Sequence, residues 1–304
     1  MPCECKETYI YVWNETTREY GEIMGIEHFS REQYTAHDKR SLPYRWYKKH
    51  QHKQTDSVWV VVHGITAEMR ALHDFGMHLK EVGDVVVPTL RGYDLGHPRG
   101  DIPMVGTYDR DLEALLNQLR QKGYSRVYWV GHSMGCANLL RLLSYNRDFG
   151  DGYVFLSPFF HPSLQVYRRP EGNGQEEGYE LKMKKIFLLY FLNRFNIARW
   201  SHEKVATIPD EFDEASTLSL SFRLLVSRFV PSIPKDFFSR IEKPIIAAIG
   251  SEDEVTDSSK LHKWWKKQTN HLYVELPEED HNSLLKSKKT VELLEDWAMT
   301  MNNS

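Results

Sequence analysis

The sequence predicts an α/β protein with a mostly parallel, doubly wound sheet, because short apolar runs alternate with helical patterns along most of the chain. Apart from Glu275 in the last of them, the apolar runs are continuous, which is typical of strands that are covered on both faces. They occupy residues 59–62, 85–87, 127–130, 153–156, 245–249 and 272–276. Helical patterns such as 109–121 and 137–145 lie between them. Sheets of this kind bind ligands beyond the carboxyl ends of their strands, so the residues that follow each run carry the functional prediction.

Turn-forming residues bound each predicted strand in order along the chain. The second run is preceded by Gly83, and the other five are followed within two positions by Gly64, Gly131, Pro158, Gly250 and Pro277. Glycine tolerates backbone conformations that end a strand, and proline lacks the N–H that a sheet needs. These residues therefore support six separate strands.

Composition restricts the class of protein. The 304 residues carry a net charge of −3, which leaves no overall electrostatic basis for binding nucleic acid. Cys3, Cys5 and Cys136 are too few for a disulfide framework. No apolar run approaches the roughly 20 residues of a membrane span, and the N-terminus lacks the apolar core of a signal peptide. We therefore expect a cytoplasmic globular protein.

One stretch interrupts the alternation of strands and helices. No central strand is evident between about residues 161 and 243, and helical patterns cover 181–198, 213–229 and 235–241. We interpret this stretch as a helical cap, or lid, inserted over the sheet. The predicted organisation is an N-terminal extension of unknown role at 1–27, a core formed by 28–160 and 242–304, and a cap at 161–241.

The candidate nucleophile is Ser133, which lies in the pentapeptide Gly131-His132-Ser133-Met134-Gly135. A predicted strand enters this pentapeptide and a predicted helix leaves it, which is the context of a nucleophile elbow. A serine in a strained turn needs small neighbours so that the two adjoining segments approach closely. The alternative, an ordinary serine in a glycine-rich turn, is less consistent with the residues that follow.

A serine hydroxyl needs a base and an orienting acid, and candidates for both follow in the chain. His281 comes after the run at 272–276, and Asp253 comes after the run at 245–249. Both are thus expected at the sheet edge where Ser133 lies. Glu252 and Glu254 flank Asp253, so the residues alone leave three possible partners for the histidine.

An oxyanion needs two preorganised backbone donors. One is expected to be the N–H of Met134, directly after the nucleophile. The loop after the first run, His63-Gly64-Ile65-Thr66, is expected to provide the second through the N–H of Ile65.

With these residues the chain resembles the serine α/β-hydrolases of the monoacylglycerol lipase, lysophospholipase and serine aminopeptidase group. The resemblance spans roughly residues 28 to 300, includes an opening hairpin at 34–46, and is carried by His63-Gly64, Arg91-Gly92, 131–135, Gly250-x-x-Asp253 and His281. It implies an α/β-hydrolase fold, a triad of Ser133, Asp253 and His281, an acyl-serine intermediate, and no metal or organic cofactor. The sequence departs from the group at 92–97 and at Cys136.

The predicted cap helix, residues 181–200, is apolar on several faces and is flanked by lysines and arginines. One interpretation is a helix buried against the sheet. The other is a surface that lines an acyl-chain pocket or contacts lipid, in which case Phe187, Tyr190 and Phe191 are the candidate pocket residues. An acidic cluster at 210–214 is a candidate amine-binding site, as an aminopeptidase requires, although solvated acids at the start of a helix are the commoner explanation of such a cluster.

The function that these features favour is hydrolysis of carboxylic esters with an apolar acyl group, such as monoacylglycerol, by a serine esterase or lipase. The alternative within enzymes is a serine aminopeptidase or amidase. The alternative of another class is a ligand-binding protein that retains the triad. The expected partner is a small, lipid-like ester, with at most transient contact between the cap and a membrane or micelle, and no nucleic acid.

Overall fold

A computed structural model describes residues 30–50, 55–67, 69–94, 96, 98–168, 179–209, 217–233 and 236–302. Its strands are β1 (Ser30–Thr35), β2 (Ser41–Tyr47), β3 (Ser57–Val62), β4 (Asp84–Pro88), β5 (Arg126–His132), β6 (Gly152–Leu156), β7 (Glu180–Leu181), β8 (Lys204–Ile208), β9 (Leu218–Ser221), β10 (Ile245–Gly250) and β11 (Leu272–Leu276). Its α-helices are α1 (Met69–Leu79), α2 (Thr107–Gln121), α3 (Gly135–Tyr145), α4 (Met183–Arg194), α5 (Phe222–Val226), α6 (Ser258–Gln268) and α7 (Lys288–Asn302).

The main sheet has eight strands in the order β1-β2-β4-β3-β5-β6-β10-β11. The six strands from β4 to β11 in this order are parallel, and β1 and β2 add an antiparallel hairpin at one edge. Each of the six apolar runs is therefore a strand of this sheet, and the opening hairpin is present as expected. The carboxyl ends of β3, β5, β6, β10 and β11 meet at one edge.

Both faces of the sheet are covered, as the continuous apolar runs predict. On β3, Val58, Val60 and Val62 belong to one buried cluster, whereas Trp59 and Val61 belong to the other. Apolar residues of α2, α3 and α6 join the first cluster, and those of α1 and α7 join the second. The α/β-hydrolase fold class is confirmed by this arrangement.

The insertion differs from the predicted helical cap. It contains the antiparallel sheet β7-β8-β9 as well as α4, the single-turn α5 and a 3₁₀ turn at Phe238–Arg240. The prediction of helices over 213–229 and 235–241 is therefore wrong for most of the described residues there. In β9, leucines alternate with serines, and the leucines point toward the core. A two-residue alternation over only four residues does not stand out inside a longer apolar stretch, so the sequence does not reveal this strand.

None of the helices formed by the described residues is both long enough and apolar enough to cross a membrane.

Candidate active site

Ser133 lies at a sharp turn between β5 and α3, where its backbone adopts a positive φ of 51°. This conformation is unfavourable for a residue with a side chain, so the surrounding structure has to hold it. A Cβ atom at Gly131 would lie 2.7 Å from the amide nitrogen of Cys136, and one at Gly135 would lie 2.1 Å from the carbonyl oxygen of Val62. Both glycines are thus required for the close approach of strand and helix, as the sequence predicts.

His281 and Asp253 form a buried pair at the same edge of the sheet. The Nδ1 atom of His281 lies 3.1 and 3.0 Å from the two carboxylate oxygens of Asp253. This contact fixes the tautomer with the proton on Nδ1 and leaves Nε2 as the acceptor nitrogen. Burial by itself raises the pKa of Asp253, but the hydrogen bonds from His281 and the Thr256 amide outweigh this effect, so its pKa is lowered. Asp253 is therefore a carboxylate suited to stabilising an imidazolium.

The loop after β10 distinguishes Asp253 from its acidic neighbour. Asp253 Oδ1 accepts hydrogen bonds from the backbone N–H groups of Val255 (2.9 Å) and Thr256 (2.7 Å). Glu254 instead accepts from the backbone N–H of His281, at 3.1 Å. Glu254 thus anchors the main chain of the histidine, while Asp253 contacts its imidazole.

The first residues of the insertion support this acid loop. Arg168 donates from Nε to the carbonyl oxygen of Asp253 (2.9 Å), and its backbone N–H donates to the carbonyl oxygen of Val255 (2.8 Å). Tyr167 forms an isolated β-bridge with Thr256. The start of the insertion therefore belongs to the framework of the site.

The loop after β3 lies against the candidate nucleophile. A Cβ atom at Gly64 would lie 3.2 Å from Cβ and 3.6 Å from Oγ of Ser133, so a larger residue there would crowd the serine. In the described part of the chain, neither the Ile65 N–H nor the Met134 N–H donates to a protein acceptor. Both N–H groups, one directly after Gly64 and one directly after Ser133, can therefore serve as the oxyanion donors that the sequence predicts.

Two histidines have roles that the sequence analysis missed. His132 donates from Nε2 to the carbonyl oxygen of His281 at 2.9 Å, and their rings lie 5.2 Å apart. His63 contacts the Gly64 carbonyl through Nδ1 (2.8 Å) and accepts the Leu90 N–H at Nε2 (3.2 Å). Burial lowers the pKa of each histidine to about 3, and the pKa is lowered further by the positive charge of Arg228 near His63 and by the neighbouring titratable imidazole of His281 near His132. Both therefore hold main-chain atoms of the site as neutral rings, a role with no local sequence signal.

Cys136 departs from the family pattern without altering the elbow. Its thiol is buried and donates to the carbonyl oxygen of Gly131 at 3.1 Å. Within the second departure, Asp94 accepts the Gly92 N–H at 2.9 Å and pairs with Arg40.

The predicted pocket residues Phe187, Tyr190 and Phe191 are exposed by 65%, 56% and 60%. Leu189 is the only residue of α4 that is buried. The interpretation of this helix as a buried core element is therefore wrong, because α4 packs through one narrow side. The three aromatic residues form an exposed apolar surface instead.

The acidic cluster at 210–214 and residues 1–27 lie outside the described residues, so the predictions made for them stay predictions.

The arrangement joins a hydroxyl on a strained turn, an imidazole oriented by a carboxylate, and two backbone donors. Such a set can generate an alkoxide nucleophile and stabilise a tetrahedral oxyanion without a metal ion. Reactions of this kind are acyl transfers from esters or amides.

Residues 59–293 match the model of the Alpha/beta hydrolase family. No curated protein matches the chain significantly. Among solved structures, the chain is similar to a thermophilic esterase from Thermogutta terrifontis, with 14% identity and a TM-score of 0.59 over 89% of this chain and 98% of that one. It is also similar to a soluble variant of monoglyceride lipase from Saccharomyces cerevisiae, with 14% identity and a TM-score of 0.63 over 89% and 95% of the two chains. A third, Est1E from Butyrivibrio proteoclasticus, has 14% identity and a TM-score of 0.59 over 90% and 99%. These likenesses show the fold.

Proposed function

The chain belongs to the Alpha/beta hydrolase family, and from this premise we propose that it is a serine hydrolase that cleaves carboxylic esters with an apolar acyl group. The observation that carries the proposal is the pairing of His281 with Asp253 at 3.0 Å, together with a serine held at a positive φ directly after His132, which contacts the His281 carbonyl. The esterases and the monoglyceride lipase of similar fold support ester hydrolysis as the reaction class.

In the proposed mechanism, Ser133 attacks the ester carbonyl carbon while Nε2 of His281 accepts the hydroxyl proton. Asp253 stabilises the resulting imidazolium, and the N–H groups of Ile65 and Met134 bind the tetrahedral oxyanion. The oxyanion collapses, the bond to the leaving oxygen breaks, and His281 delivers its proton to the departing alcohol. A water molecule, deprotonated by His281, then attacks the carbonyl carbon of the acyl-serine. The bond to the Ser133 oxygen breaks, His281 returns its proton to that oxygen, and the carboxylic acid is released.

The exposed surface of α4 supports an apolar, aggregated substrate. Phe187, Leu188, Tyr190 and Phe191 are each more than half exposed on this helix. Lysines at 182, 184 and 185 precede and begin it, and Arg194 ends it. An exposed apolar surface bordered by basic residues is typical of a helix that lies at a lipid interface. We propose that this surface contacts micelles or membranes that contain the ester.

The test is hydrolysis of p-nitrophenyl esters from acetate to palmitate by the wild-type chain and by Ser133→Ala. The substitution should lower kcat by about 10³-fold or more, as removal of a triad member does in known cases. Ser144→Ala is the matched control, because Ser144 lies on α3 and its hydroxyl donates to the Arg141 carbonyl at 2.6 Å, away from the site. Labelling by a fluorophosphonate should occur at Ser133 and disappear in Ser133→Ala.

The acyl chain length of the ester that is hydrolysed fastest indicates the size of the acyl site. An optimum at medium or long chains supports the lipid-like substrate, and an optimum at acetate supports a short-chain esterase. No turnover of any ester, with cleavage of aminoacyl amides, would refute ester hydrolysis and support an aminopeptidase.

A further inference from the structure

A fully buried arginine lies behind the loop that carries the proposed oxyanion donor. Arg228 follows α5 in the insertion, and none of its surface is exposed. Its Nη1 atom donates to the carbonyl oxygens of His63 (3.1 Å) and Gly64 (3.2 Å), whereas Nε and Nη2 bond to no acceptor among the described residues. The ring centroids of Tyr93 and Tyr108 lie 5.1 and 5.7 Å from its guanidinium carbon. A buried charge held by carbonyls and rings rather than by a carboxylate is unusual.

The position of this contact has a chemical consequence, because the Gly64 carbonyl and the Ile65 N–H belong to one peptide unit. The carbonyl oxygen accepts from both Arg228 Nη1 and His63 Nδ1. Donors on the oxygen of a peptide draw electron density from its nitrogen through resonance, which makes the N–H a stronger donor. Hydrogen bonds from a charged donor have the larger effect.

We propose that Arg228 is a positioning residue for the hydrolysis: it holds the Gly64–Ile65 peptide and strengthens the Ile65 N–H as an oxyanion donor. The inference rests on the proposed function. Arg228 does not touch the oxyanion itself, and it acts through the peptide. The inserted segment thereby supplies part of the catalytic apparatus of the core.

The main chain around Arg228 is fixed to the core independently of the loop after β3. Arg141 on α3 donates from Nη1 to the carbonyl oxygen of Phe229 at 2.8 Å and pairs with Asp109. Arg141 is also buried, but among the described residues its side chain bonds to Asp109 and the Phe229 carbonyl and not to residues 63–65. Arg141→Met is therefore a matched control, since it removes a buried guanidinium that contacts the same segment.

The experiment compares Arg228→Met, Arg228→Lys and Arg141→Met with the wild-type chain. The readouts are kcat and KM for the best p-nitrophenyl ester, the inhibition constant of an alkyl boronic acid, and the thermal midpoint. A boronic acid forms a tetrahedral adduct with the serine, so its affinity reports on the oxyanion site, whereas KM reports mainly on ground-state contacts.

Arg228→Met should lower kcat by roughly 10- to 100-fold, which is less than the loss of a complete donor, and should weaken boronic acid binding by a similar factor. KM should change by less than about twofold. Arg228→Lys should recover part of the loss, because it restores the charge. Arg141→Met should leave kcat and boronic acid affinity unchanged even where the thermal midpoint falls.

Unchanged kcat in folded Arg228→Met, or an equal loss in Arg141→Met, would overturn the inference. A loss of kcat without weaker boronic acid binding would also overturn it. If Arg228→Met does not fold, Arg228→Gln takes its place in the test, because the glutamine amide keeps a hydrogen-bond donor without the charge. Arg228→Gln should still lower kcat, and an unchanged kcat would overturn the inference. Absence of turnover in the wild-type chain would instead refute the proposed function.

Discussion

The two buried histidines of the site make the folded chain sensitive to acid. Burial lowers the pKa of His63 and of His132 from 6.5 to about 3. Below pH 6.5 the unfolded chain binds a proton at each of these residues, whereas the folded chain does not. The stability that the neutral rings contribute is therefore present above pH 6.5 and is lost progressively as the pH falls toward 3.

The magnitude follows from the number of protons. Each group contributes about 1.4 kcal/mol per pH unit, so the two together give a slope of about 2.7 kcal/mol per pH unit between pH 6 and 4. Integrated from pH 6.5 to 4.5, the loss is about 4–5 kcal/mol. His161 and His271, whose pKa values burial also lowers, act in the same direction. A loss of this size is a large part of the roughly 5–15 kcal/mol that stabilises a typical domain.

The assay is urea unfolding, followed by tryptophan fluorescence, at half-unit steps from pH 7 to 4.5. In His132→Gln the amide N–H can still donate to the His281 carbonyl, and the slope should fall by about 1.4 kcal/mol per pH unit. His202→Gln is the control, because its side chain is 56% exposed. A wild-type slope below about 0.5 kcal/mol per pH unit, or the same slope in His132→Gln as in the wild type, would refute the reasoning.

Three further predictions concern the site and the insertion. Asp253→Asn should lower kcat by about 10⁴-fold. Glu254→Gln retains an acceptor for the His281 N–H, so it should weaken that hydrogen bond by about 1 kcal/mol and lower kcat by tenfold or less. Steady-state kinetics measures both effects. Gly135→Ala places a Cβ 2.1 Å from the Val62 carbonyl oxygen and should destabilise the fold by about 3 kcal/mol in urea unfolding, and an unchanged midpoint would contradict the close packing. Phe187→Ser should slow hydrolysis of micellar long-chain esters several-fold and leave soluble butyrate esters unaffected, while equal effects on both would argue against interfacial contact.

The sequence alone determined the features that depend on local pattern. Six mainly apolar runs predicted the parallel strands. Five of them form inner strands, where burial on both faces leaves no room for polar alternation, and the sixth, which contains Glu275, forms the edge strand β11. The pentapeptide around Ser133 predicted the elbow, because close approach of strand and helix excludes side chains at Gly131 and Gly135. The order of residues along the chain placed Asp253 and His281 after strands, and the family resemblance selected Asp253 from the three consecutive acidic residues at 252–254.

Only the tertiary structure decided the features that depend on contacts between distant segments. The contacts of Glu254 and of His132 with His281, and the contact of the buried Arg228 with the Gly64 carbonyl, each connect residues that are far apart in sequence. No local pattern encodes such pairs. The strands of the insertion escape sequence prediction for the same reason: β7, β8 and β9 are short strands that exist because they pair with one another and bury leucines against the core. Strand pairing and burial are properties of the assembled chain, so an isolated stretch of four residues carries too little periodicity to reveal them.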